Sequence, residues 1–142
     1  MEWGDTLGDI NYIAVVLATI STFIVGSIWY SMGVFGKTWA KELGLTQKQL
    51  NDKDAAMRAM MHSAVASFIT AVVLAALMYA TGTDELAEGA LFGAVVGFGI
   101  AMTSAVTHDV FSRVSATLTR IHGLHDIVKF AVMGAIIGGI GF

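Results

Sequence analysis

The sequence predicts an all-α integral membrane protein. The expected form is a bundle of four transmembrane helices, N-out and C-out, with short cytoplasmic or interfacial helices in the 37–56 and 110–121 loops. Three observations carry this. Apolar residues make up 56% of the 142 and charged residues 13%, where soluble domains carry about 25% charged. The few charges are gathered between long uncharged stretches. Those stretches have the length a bilayer needs, roughly 20 residues at 1.5 Å rise each to cross about 30 Å of hydrocarbon.

Taken in order, the expected spans are about 10–32, 59–81, 86–107 and 124–142, within a single membrane domain over 1–142. The first has no charge between Asp9 and Lys37, and the second none between Arg58 and Asp84. The third has Glu88 near its start. The fourth reaches membrane length only if its polar start, with His125, Asp126 and Lys129, lies at membrane depth. A soluble four-helix bundle would keep a polar outer face on every helix. Positions 14–18, 71–78 and 94–102 are instead apolar all round. The acidic start MEWGDTLGDI lacks the basic region that opens a secretory signal, so the first segment reads as a retained span.

Sidedness follows from the charges. The 33–58 and 108–123 loops share a face that takes all eight basic residues: Lys37, Lys41, Lys48, Lys53, Arg58, Arg113, Arg120 and Lys129. The opposite face carries the acids Glu2, Asp5, Asp9, Asp84, Glu85 and Glu88. The positive-inside rule makes the basic face cytoplasmic. At its edge, Trp29, Tyr30, Lys37 and Trp39 are candidate interface anchors. Thr46 and Gln49 have capping-box spacing for a short loop helix, and Asp52 or Asp54 can start the second span. Val110, Phe111, Val114, Leu118 and Ile121 share one helical face with Arg113 and Arg120 largely opposite. This suits an interfacial helix, or an extension of the third span.

Gly89, Gly93 and Gly97 on the third span and Gly134 and Gly138 on the fourth repeat at four-residue spacing. Such small residues let helix backbones approach closely in lipid. They can pack spans three and four together within one chain, or form a subunit interface in a homo-oligomer.

The residues that can carry chemistry cluster toward the basic side. His62, Ser63, Ser67, Thr107, His108, Asp109, His122, His125, Asp126 and Lys129 are candidates to line a hydrated vestibule. His108, His122, His125 and Asp126 have side chains suited to a divalent metal such as zinc. The bland alternative is that these groups sit at headgroup level and snorkel. No catalytic residues are assigned. The chain has no Cys, and its two His-Asp pairs fall short of a metal-dependent phosphohydrolase set. Gly93-x-x-x-Gly97-x-Gly99 is not followed by the Gly-Lys-Ser/Thr of a phosphate loop. The basic residues are too few and too close to the membrane for nucleic acid.

Gly26-x-x-Trp29-Tyr30-Ser31, then Phe35-Gly36-Lys37-x-Trp39, after an opening Asn11-Tyr12-Ile13-Ala14, resembles the signature of an uncharacterised bacterial membrane family, domain of unknown function 1761. A less specific part of the resemblance surrounds His108-Asp109-x-Phe111. Met32 stands where members often carry Pro. The resemblance implies four spans and a bacterial inner-membrane location, and it supplies no activity.

The expected function is a homo-oligomeric channel or transporter for an ion or small solute. Its rivals are an accessory subunit packing on another membrane protein through its glycine faces and, last, a metal-dependent membrane enzyme. The orientation has a direct test. A reporter fused after Phe142 is expected to act outside the cytoplasm, and cytoplasmic reporter activity would reverse the assignment.

Overall fold

A computed structural model of the chain describes residues 3–142. A short helix α1 (Trp3–Asp9) leads to Asn11, whose side chain accepts hydrogen bonds from the Ile13 and Ala14 amides and so opens α2 (Tyr12–Trp29). Two short helices follow, α3 (Gly36–Glu42) and α4 (Gln47–Leu50). The Thr46–Gln49 capping box forms around α4: the Gln49 amide donates to Thr46 Oγ1 at 3.3 Å and the Thr46 amide to Gln49 Oε1 at 2.8 Å. Asp52 caps α5 (Lys53–Thr81), accepting from the Ala55 amide at 2.9 Å. Gly82 ends α5 at φ +69, a left-handed conformation that disfavours a Cβ.

The third span is one continuous helical rod of 26 residues. It comprises α6 (Leu86–Val96), a π-helical stretch over Gly97–Met102, and α7 (Thr103–Phe111). Ser115 then caps α8 (Ala116–Ile140) by accepting from the Leu118 amide at 3.1 Å. Four helices are therefore long and apolar enough to cross a membrane, and the described residues contain no strand.

Two helices run beyond the expected spans. The second begins at Lys53, directly after the expected Asp52 cap, and the fourth at Ala116, ahead of the span expected from about 124. The amphipathic 110–121 stretch is not a helix of its own. Val110 and Phe111 finish α7, Arg113 turns the chain at φ +56, and Leu118 and Ile121 are already inside α8, where both are buried. The cap at Ser115 joins this stretch to the fourth span.

The long helices alternate in direction around α8. Against α6 the contact is between backbones. A methyl group at Gly89 would strike the Gly134 carbonyl oxygen, one at Gly93 the Phe130 carbonyl and one at Gly138 the Glu85 carbonyl. A Cβ at Gly97 would stand 3.0 Å from Ile127 Cα. The glycines named on both spans thus meet one another inside one chain. The π stretch extends this seam. Five positions after Gly97, Met102 also meets α8: a Cβ on Gly123 would lie 2.8 Å from its Cγ. A π turn adds one residue per turn, and here it keeps the seam facing α8 as the helix lengthens.

On the other side of α8, Ala14, Val15 and Ala18 of α2 pack with Ala71, Leu74, Ala75 and Met78 of α5 and with Met133 and Ile137, all almost fully buried. At the same end Tyr79 donates to Asp9 at 2.9 Å and its ring meets Phe142. The opposite half is looser, because the start of α5 leans away: Met57, Met60, Met61 and Val65 are each more than half exposed.

The seam predicts opposite outcomes for two glycines. Gly93→Ala should lower stability in detergent by about 2 kcal/mol through overpacking, read as a fall in thermal midpoint. Gly99, with open space around its Cα, should take the same change with no loss, since Ala is favoured over Gly in a helix by about 1 kcal/mol.

Candidate functional site

The site is built on the tight turn that follows α2. The Phe35 amide donates to the Trp29 carbonyl at 3.1 Å and the Gly36 amide to Ser31 at 2.8 Å. A Cβ on Gly36 would strike the Tyr30 carbonyl, so only glycine fits there. The turn closes with Met32 inside it. It folds α3 back so that Trp39 meets Tyr30, ring centroids 5.6 Å apart. Trp29 packs on Phe35 and donates its indole N–H to the Ile121 carbonyl of α8 at 3.1 Å. Trp29, Tyr30 and Trp39 are half-buried in this cluster, and Lys37 is exposed.

His125 of α8 fits between them. Its ring centroid lies 5.2 Å from that of Tyr30 and 6.0 Å from that of Trp29. Nε2 is buried beside Gly26 and has no hydrogen-bond partner, while Nδ1 is 3.6 Å from Asp126 Oδ1. Lys129, one turn on, donates to the same carboxylate oxygen at 2.8 Å. The two side chains of this ion pair are only 22% and 23% exposed, near the middle of a membrane-length helix. Charges so placed are costly unless they are paired and serve a function.

Where α5 leans away, a cleft of about 590 Å³ opens between α2, α5 and α8, with Trp39 of α3 at its edge. Its polar lining comes from Thr22, Ser27, Tyr30, Ser63, Ser67, His125 and Lys129, among Phe23, Gly26, Ala56, Ala59 and Met60. Thr22 donates to Ser67 at 3.2 Å across its floor. One turn beyond, Ala18 and Ala71 are fully buried, so the cleft ends blind within the bundle.

Of the candidate vestibule residues, Ser63, Ser67, His125 and Lys129 come together here, with Asp126 beside them. His122 packs against Tyr30 at 6.1 Å. His62 is exposed, its Nδ1 2.7 Å from the Arg58 carbonyl. Thr107 and His108 are exposed on α7. Asp109 accepts from Thr119 at 2.7 Å, tying α7 to the start of α8. Among the described residues, no three His, Asp or Glu side chains gather closely enough to hold a metal ion. Thr22, Phe23, Ser27, Ala56, Ala59 and Met60 of the lining were not singled out from the sequence, and Gly26 was named only as part of the family motif. Thr22, Gly26 and Tyr30, at i, i+4 and i+8, were the legible signal.

The sequence profile of a family described as a protein of unknown function, DUF1761, matches residues 13–138. The chain belongs to the DUF1761 family. No curated protein and no solved structure matches it. In this DUF1761 chain the motif Gly26-x-x-Trp29-Tyr30-Ser31 with Phe35-Gly36-Lys37-x-Trp39 lies within the matched range and builds the mouth of the cleft. The family carries no activity to transfer. The four membrane-length helices of the chain make it a multi-pass membrane protein.

The ion pair predicts non-additive mutants. Lys129→Met should destabilise by about 2 kcal/mol, because Asp126 is left charged and unpaired in a partly buried site. Asp126→Asn combined with Lys129→Met should recover most of that loss in thermal unfolding. A double variant as unstable as the sum of the singles would show that the two groups do not act as a pair.

Proposed function

We propose that this chain is a small-solute transporter whose binding site is the α2–α5–α8 cleft. The observation that carries the reading is the cleft's polar end beside the middle of a membrane-length helix. There a paired Asp126 and Lys129 and a buried, unpartnered His125 Nε2 adjoin an open volume. Ionisable groups held inside a membrane bundle are a mark of solute or proton pathways. A volume of this size, mostly apolar with a few convergent polar groups, is also the usual form of a small-molecule site.

The blind end favours a carrier over an open channel. A solute that enters from the basic end meets the packed core around Ala18 and Ala71, so passage needs the bundle to rearrange. The start of α5, exposed on most of its surface, is the element free to move. By the positive-inside rule the basic end is the cytoplasmic one, and the membrane is the bacterial inner membrane. One copy bounds the cleft through α2, α3, α5 and α8, so the reading needs no second subunit. An accessory role through the glycine faces has less support, because Gly89, Gly93, Gly97, Gly134 and Gly138 already face each other's helices.

The test is flux through purified protein in liposomes, scored by solute-driven swelling over a panel of small organic acids, amines, amino acids and monovalent salts. Uptake of at least one class above empty liposomes is expected. It should fall about tenfold in Asp126→Asn/Lys129→Met, the loss of one good charge-assisted interaction. Flux equal to empty liposomes across the panel, or flux untouched by the double variant, would overturn the proposal.

A further inference from the structure

The lining of the cleft is one-sided in its chemistry. It has hydroxyls from Thr22, Ser27, Tyr30, Ser63 and Ser67, one imidazole and one ammonium, and no carboxylate. Asp126, the one acid close by, lies behind the lining and is occupied by Lys129. An ammonium has three N–H donors, so this pairing leaves Lys129 two donors to offer. His125 Nδ1 faces Asp126 Oδ1 at 3.6 Å, so in the neutral ring Nδ1 carries the proton and the buried Nε2 is an acceptor, which offers an anion no donor. The remaining walls, Phe23, Ala56, Ala59 and Met60 with the rings of Tyr30 and Trp39, are apolar.

The polarity is also ordered along the cleft. Lys129 and Ser67 lie toward the floor, where Thr22 bonds Ser67, and Trp39 and Ala56 lie toward the mouth. All the basic side chains other than Lys129 belong to the segments at the mouth end or to the helix ends that adjoin them. Charge at the mouth therefore favours approach of an anion. One ammonium at the floor, already paired with Asp126 and with two donors left, matches one anionic head rather than two.

Resting on the transporter reading, we infer that the cleft takes a small organic monoanion with an apolar body. It enters head-first, its carboxylate-like group on Lys129 and Ser67 and its body between Phe23, Met60 and Trp39. Lys129 is the residue that selects charge, and Asp126 is a positioning residue that holds it.

The experiment uses the full chain in lipid nanodiscs, with empty nanodiscs subtracted. Binding is read by calorimetry and by tryptophan fluorescence, with Trp39→Phe identifying the responding ring. The probes are octanoate, octylammonium and acetate. Octanoate is expected to bind at one site per chain, and octylammonium and acetate about tenfold more weakly or less, the scale of one lost charge-assisted bond. Lys129→Met should remove the preference for octanoate over octylammonium. Should that variant fold poorly, Met60→Trp, which fills the apolar wall without touching the ion pair, should weaken octanoate by a similar factor. Asp84→Asn, exposed in the turn at the opposite end of the bundle, should change nothing. Octylammonium binding as well as octanoate would overturn the charge assignment, and acetate equal to octanoate would overturn the apolar body. Flux in the liposome panel with no octanoate binding would overturn this inference and leave transport standing. Octanoate binding without flux of any solute would do the reverse.

Discussion

The backbone contact between α6 and α8 is the constraint on which the rest of the bundle depends. Lipid tails are as apolar as the side chains they would replace, so helices in a bilayer associate through close packing rather than through water exclusion. Here the packing is close enough that glycine on one helix meets carbonyl oxygen on the other at Gly89, Gly93, Gly134 and Gly138. Such contacts allow weak Cα–H···O bonds along the seam. They also tolerate no side chain, so the rotation of both helices about their axes is defined. The π stretch at Gly97–Met102 prolongs the same seam down to Gly123.

With one side of α8 committed to α6, its other side is left for α2 and α5. In one half of the bundle small residues again make the contact tight, with Ala14, Ala18, Ala71 and Ala75 fully buried around Met78 and Met133. In the other half α2 and its C-cap carry Thr22, Gly26 and Tyr30, and α5 leads with exposed methionines. The 30–36 turn brings Trp39 back over this half, and the Trp29–Ile121 hydrogen bond pins the turn to α8. The cleft is thus the space left where α5 departs from a pair of helices held together elsewhere. The Asp126–Lys129 pair and His125 stand on the part of α8 that faces it.

Much of this was legible before any coordinates. Span number and approximate limits followed from hydropathy, because a bilayer forces local apolarity on every residue facing lipid. The caps at Thr46 and Asp52 are local chemistry, and a side chain three residues from its backbone partner can be read from spacing. The candidate site was legible in part. Ser63, Ser67, His125 and Lys129 do line one cleft, whereas His62, Thr107 and His108 lie on exposed faces of their helices. Polarity places a residue toward one end of a span and leaves open the direction in which it points. Trp29, Tyr30 and Trp39 have the composition of headgroup anchors, and their packing against α8 depends on a turn that folds α3 back.

The sequence by itself determined four membrane-length helices, the segregation of basic from acidic ends, and the existence of two small-residue stripes. These properties are set by residues near one another in the chain. The tertiary structure alone decided that the two stripes face each other, that a π turn carries the seam past Gly97, and that α5 leans away to open a cleft beside Lys129. Those outcomes depend on the relative rotation and tilt of helices distant in sequence. Rotation and tilt are set by contacts of less than a methyl group's width, to which hydropathy is blind.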